Sequence, residues 1–159
     1  MGKSQGIRRL SAEREAAFPR LARRNYEVTS EETAAYTCIA YAADDTTRKW
    51  DPLTIPDPGY YWPPGALRGD ELAALVSAFE QIGYELCDDG EVNQGYDKVV
   101  LYADQHGDWT HAAKQLPNGH WSSKLGDWED IRHEAEMDVG DSAYGVACQY
   151  MRRPQALVE

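Results

Sequence analysis

A chain of 159 residues with 42% hydrophobic and 27% charged residues has the size and balance of one globular domain, which excludes wholesale disorder. It has no run of the roughly 18–20 apolar residues that a membrane span needs, and its N-terminal stretch has no apolar signal core, so no membrane association is expected. The net charge of −11 is uneven: residues 1–24 hold seven Arg or Lys against two Glu (+5), and the remainder holds nine against twenty-five (−16). An acidic body repels phosphate backbones, which excludes a general nucleic-acid binder.

The three cysteines, Cys38, Cys87 and Cys148, are widely spaced and form no CxxC. Neither a disulfide framework nor structural zinc is expected, and a reducing cytoplasmic setting is. The chain divides into a basic N-terminal arm or helix over 1–24, a single domain over 25–154 and a tail over 155–159.

In chain order, residues 7–24 carry helical spacing at Ile7, Leu10 and Ala17, with Pro19 as a breaker. The stretch YEVTSEETAAYTCIAYAADD (26–45) predicts a second helix, capped at Thr29 or Ser30, with Ala35, Ile39, Ala42 and Ala43 on one face. WDPLTIPDPGYYWPP (50–64) holds too many prolines for a helix and predicts an extended loop pinned by Tyr60, Tyr61 and Trp62. DELAALVSAFEQIG (70–83) is the clearest helix, with Asp70 as N-cap and Gly83 as stop.

Strands follow: GYELCDD (83–89), YDKVVLYAD (96–104), and two strands in WTHAAKQLPNGHWSSKLG (109–126) around the hairpin signal Asn118-Gly119. DWEDIRHEA (127–135) predicts a turn or short helix, and AYGVACQYMRRP (143–154) a last strand. Helices first and antiparallel strands after predict an α+β fold, with N-terminal helices packed on an antiparallel β-meander.

A cysteine on an early helix and a histidine at the start of a later strand form the pattern of a thiol hydrolase. Imidazole can take the thiol proton, and a helix N-terminus lowers the thiol pKa further. Cys38 is the candidate nucleophile and His111 the candidate base. A helix starting at Ser30 puts Cys38 in its third turn, whereas a break at Tyr36-Thr37 makes Thr37 a new N-cap and Cys38 the first helical residue. The plainer alternative is a small buried hydrophobe.

A two-residue turn at Asn118-Gly119 places Ser122 and Lys124 on the face of His111. A longer turn that includes Pro117 places Trp121 and Ser123 there instead, because the side-chain period is two. Asp127 is the first choice to orient the imidazole, ahead of Asp130 and His133. Substrate contacts are expected from Trp62, Trp121, Ser123 and Lys124. His106, His111, His120 and His133 show neither HxH nor HExxH spacing, so no metal and no cofactor is expected.

The runs YTCIAYAADDTTRKW, YYWPPG and YDKVVLYADQHGDWTHAAKQLPNGHWSSKLGDWEDIRH resemble a family of small bacterial proteins with no assigned activity, over roughly residues 25–154. Within them, DKVVLY…THAAKQLPNGHWSSK is similar in layout to the papain-like NlpC-type cell-wall peptidases and the transglutaminase-like proteases. That resemblance implies a papain-like, NlpC-like arrangement, with Cys38 as nucleophile and His111 as general base.

Two functions from different classes are therefore expected as rivals. One is a cysteine hydrolase, an amidase, peptidase or thioesterase, acting on a peptide or small amide. The other is a non-catalytic acidic module, of immunity or adaptor type, that binds a basic protein partner. A mimic of nucleic acid is a third, resting on charge alone.

Overall fold

The computed structural model describes residues 7–52, 60–141 and 143–156. Two single-turn helices open the chain, α1 (Ala12–Glu15) and α2 (Pro19–Ala22). Pro19 begins a helix rather than ending one: it occupies the first helical position, where its missing N–H costs nothing and its fixed φ fits. Next come β1 (Tyr26–Val28), α3 (Cys38–Ala42), β2 (Lys49–Trp50), β3 (Tyr60–Tyr61) and α4 (Leu72–Gln81). Then follow β4 (Glu85–Cys87), β5 (Tyr96–Ala103), β6 (Trp109–Gln115), β7 (Trp121–Lys124), β8 (Asp130–His133), a 3-10 turn (Glu136–Val139) and β9 (Val146–Pro154).

Seven strands form one antiparallel sheet in the order β1-β8-β7-β6-β5-β9-β4. This corrects the expected α+β fold of N-terminal helices packed on a meander in a papain-like, NlpC-like layout. The described chain is mostly antiparallel sheet with a few short helices. Only β5 to β8 run as a meander; β9 inserts between β5 and β4, and β1 closes the far edge against β8. Among the described residues no helix is long and apolar enough to cross a membrane.

Two segments account for the difference. Residues 26–45 do not form one helix: Tyr26 and Val28 are buried one face at a time on β1, paired with His133 and Ile131 of β8. Ala35, expected on the apolar face, is exposed. Residues 130–133, expected as a turn or helix, form β8 between β7 and β1, with Ile131 and His133 fully buried. Short alternating segments such as these take their structure from the strand beside them, so local helical spacing loses to pairing. A smaller correction concerns α4, whose N-cap is Glu71 and not Asp70; the Asp70 carbonyl instead accepts from the Trp109 amide at 2.9 Å. Of the proline-rich loop, residues 53–59 lie outside the described residues, and its flanks β2 and β3 pair in parallel.

Alternate residues of the central strands feed two cores. Val99, Leu101 and Ala112 join Ile39, Ala42, Trp50, Trp62, Leu75, Phe79 and Met151 on one side. Val100, Tyr102 and Ala113 join Leu10, Phe18, Leu21, Tyr26, Trp121, Leu125 and Ile131 on the other. The basic N-terminal segment is tied to the acidic body by ion pairs: Arg8 to Glu31 at 3.0 Å, Arg14 to Glu129 at 2.7 Å and Glu32 at 2.9 Å, and Arg24 to Asp138 at 2.9 Å. Arg20 also pairs with Asp141.

Candidate functional site

Cys38 is the first residue of α3. Thr37 adopts the extended conformation of an N-cap, and its hydroxyl accepts from the Ala40 amide at 3.2 Å. The same hydroxyl also bonds the Trp50 backbone, so the helix start is locked to β2. Five residues make α3 too short for a substantial dipole, and burial dominates the thiol, pushing its pKa up to about 11. The amide N–H of Ala112, next to His111 on β6, reaches the sulfur and partly opposes that rise. It can do so because β6 and β7 pair only at Lys114–Ser122 and Gln115–Trp121, and part beyond them.

The register is the one a longer turn produces. Leu116 and His120 close the hairpin through an amide–carbonyl bond of 2.7 Å, Gly119 takes φ +92°, and Gln115 pairs with Trp121. Ser123 therefore comes within reach of His111.

Three buried side chains on successive strands form one hydrogen-bond chain. His111 Nε2 lies 3.0 Å from Ser123 Oγ, Ser123 Oγ lies 2.7 Å from His133 Nε2, and His133 Nδ1 lies 2.9 Å from the carbonyl oxygen of Ala135. His111, Ser123 and His133 are each 0% exposed, so no water competes for these bonds.

Directions follow from the far end of the chain. A carbonyl oxygen can only accept, so His133 Nδ1 carries the proton. Burial lowers the His133 pKa, and a neutral ring then has a bare Nε2 that accepts from the Ser123 hydroxyl. The Ser123 oxygen in turn accepts from His111 Nε2–H. That leaves His111 Nδ1 unprotonated, and Nδ1 is a buried nitrogen with no hydrogen-bond partner. Burial first, and His133 second, hold the His111 pKa well below its ordinary value.

Aromatic rings fix the His111 imidazole. Tyr144 stacks on His111 with centroids 4.0 Å apart and planes 4° apart, and Tyr102 meets it edge-on at 5.0 Å. The Tyr144 carbonyl is clamped by Thr110 Oγ1 at 2.5 Å. Beside the thiol lies a cleft of about 210 Å³, lined by Thr37, Cys38, Trp50, Asp51, Trp109 and Asp127 among others.

The remaining residues singled out from sequence fall as follows. Asp127 is exposed at the cleft, but the imidazole is held by Ser123 rather than by Asp127. Trp62 is buried, donates to the Leu67 carbonyl at 2.8 Å and stacks behind Trp109, so it backs the cleft wall rather than lining it. Trp121 is 1% exposed in the second core, which corrects its expected place at a substrate. Lys124 is also fully buried; its ammonium is spent on the carbonyls of Thr33, at 2.7 Å, and Trp128, over the Tyr36 ring. Two of its three hydrogens are held by carbonyls and the side chain is 0% exposed, so Lys124 is not presented to a substrate carboxylate. Trp109 and Tyr144 were not anticipated, and no local motif marks them, since both act through partners distant in sequence. Among the described residues no group of three His, Cys, Asp or Glu side chains is placed to hold a metal ion.

The fold thus defines a small antiparallel-sheet domain with a cysteine at the first position of a short helix and a buried His111–Ser123–His133 hydrogen-bond chain across three strands. The chain belongs to a family described as a domain of unknown function (DUF7689), whose model matches residues 27–152. No curated protein and no solved structure matches it significantly.

Proposed function

We propose that this chain is a cysteine-dependent hydrolase that cleaves an amide or thioester, with Cys38 as nucleophile and His111 as base. The observation that supports this most is the unprotonated, unpartnered Nδ1 of His111, one residue from the amide that meets the Cys38 thiol. No hydrogen bond joins that nitrogen to the sulfur. Such bonds are often long in free enzymes and tighten when substrate is bound.

The chemistry runs from a neutral pair, since burial raises the thiol pKa and lowers the imidazole pKa. The sulfur attacks the carbonyl carbon as its proton passes to His111 Nδ1. The resulting imidazolium returns that proton to the leaving amine or thiolate as the carbon–heteroatom bond breaks. Water, deprotonated by the same nitrogen, then hydrolyses the acyl-cysteine and restores both groups. Ser123 and His133 are positioning residues: they hold the tautomer and stabilise the transient positive charge through the chain to Ala135 O.

The test is acylation by a panel of activated esters and thioesters, read as the intact-mass increase and located by peptide mapping. Acyl transfer to Cys38 that falls at least about a hundredfold in His111→Gln supports the reading, that being the usual worth of a general base. Acylation of Cys38 at the same rate in His111→Gln overturns it.

The acidic charge of residues 25–159 favours a second reading, a module that binds a basic protein. Partner binding would then weaken with salt and ignore Cys38→Ala.

A further inference from the structure

We infer that the basic N-terminal segment, residues 7–24, is a clasp that sets the His111–Ser123–His133 hydrogen-bond chain from both ends, with Phe18 and Arg24 as positioning residues. This concerns the buried relay alone and takes nothing from the hydrolase reading. At the His111 end, the Phe18 ring packs on Tyr144 with centroids 5.5 Å apart, and Tyr144 is the ring stacked on His111. Arg20 pairs with Asp141, whose amide donates to the Gly145 carbonyl at 2.7 Å, so the same segment also holds the turn next to Tyr144.

At the His133 end, Arg24 Nε lies 2.9 Å from Asp138 Oδ1. The other oxygen of that carboxylate accepts from the Ala135 amide at 2.9 Å, and the Ala135 carbonyl accepts from His133 Nδ1. Asp138 is buried, and removing the cation from a buried carboxylate leaves a charge that the site must open to hydrate. Between Arg20 and Arg24 in sequence, Leu21 is fully buried in the second core, so the segment is anchored where its two arginines are half-exposed. Contacts from one short segment thus end on the two neighbours that fix the imidazoles, Tyr144 and Ala135.

The test is hydrogen exchange of the imidazole N–H groups, His111 Nε2–H and His133 Nδ1–H, followed by proton–nitrogen NMR on the whole chain. Arg24→Gln is expected to speed exchange at His133 by about fivefold, the upper worth of one ion pair made by a half-exposed arginine, with Arg24→Lys largely restoring the wild-type rate. Phe18→Leu should speed exchange at His111 by about two- to tenfold, the range of one aromatic contact. The control is Phe79→Leu, the same change in the core on the opposite face of the sheet, which should lower Tm and leave both rates alone. Salt at about 1 M shortens the screening length to roughly 3 Å, and should speed exchange at His133 in wild type but not in Arg24→Gln.

Exchange in Phe18→Leu and Arg24→Gln no faster than in Phe79→Leu overturns the proposal, because the segment then contributes stability alone. Where an N–H exchanges too fast to follow, the ring-nitrogen shifts of both histidines decide in the same way: a change confined to the clasp variants supports the proposal, and its absence overturns it. Perturbed imidazoles together with Cys38 acylation indifferent to His111 would keep the clasp and remove the hydrolase. Unperturbed imidazoles together with acylation that needs His111 would remove only the clasp.

Discussion

Removing the Ser123 hydroxyl is the most direct perturbation of the buried relay. Ser123→Ala leaves two imidazole nitrogens, His111 Nε2 and His133 Nε2, without partners in a site that water does not reach. A buried polar atom stripped of its partner costs about 1–3 kcal/mol. Two orphans, less the desolvation that the absent hydroxyl no longer incurs, give an expected loss of about 2–4 kcal/mol. For a chain of this size that lowers Tm by very roughly 5–15 °C. Urea unfolding followed by tryptophan fluorescence measures it, with Ser122→Ala as the neighbour control that breaks only the Tyr41 contact.

A second readout separates the relay from plain packing. Long-range proton–nitrogen NMR should show His111 protonated at Nε2 and His133 at Nδ1 in the native protein. In Ser123→Ala the His111 ring loses the contact that selects its tautomer, and the Nδ1–H form should become populated. A cost below about 0.5 kcal/mol, the size of an ordinary surface change, with both tautomers unaltered, would refute the hydrogen-bond directions derived above.

Acid should destabilise the domain in a defined window. His111 and His133 have folded pKa values below the ordinary histidine value of 6.5, so the unfolded chain binds protons first as pH falls. Stability is complete above about pH 6.5 and is lost below it, by up to about 1.4 kcal/mol per pH unit for each histidine until its folded pKa is reached; urea midpoints between neutral and mildly acidic pH that do not move would contradict this. Burial raises the Asp45 pKa, but bonds from Thr47, Trp50 and Arg48 outweigh it and hold that carboxyl below its ordinary range. Its stabilisation is present above about pH 4 and lost as pH falls further, so Asp45→Asn should destabilise at neutral pH and differ less from wild type in acid. Gly145 has φ +70°, and a Cβ there would lie 2.2 Å from the Ala103 carbonyl oxygen. Gly145→Ala should cost at least about 1–3 kcal/mol and disturb the adjoining Tyr144, read as a lower Tm with altered His111 ring chemical shifts.

Much of the strand content was legible because β5, β6 and β9 are long and rich in β-forming residues, and α4 because its apolar residues repeat at helical spacing. The edges were less legible. β1 and β8 hold three and four residues, and what makes them strands is each other. The place of Cys38 turned on a break at Thr37, which local spacing left open and which the bonds between Thr37 and Trp50 settle.

The sequence by itself determined that the chain has one acidic, aromatic-rich body, that His111 is borne on a strand, and that a hairpin lies at Asn118-Gly119. These rest on composition and short-range pattern, which each segment carries alone. Only the tertiary structure decided the strand order, the one-residue register that turns Ser123 toward His111, the burial of Lys124 and Trp121, and the stacking of Tyr144 on His111. In a sheet a shift of one residue exchanges every side chain between faces. The relay therefore exists only once β6, β7 and β8 are paired.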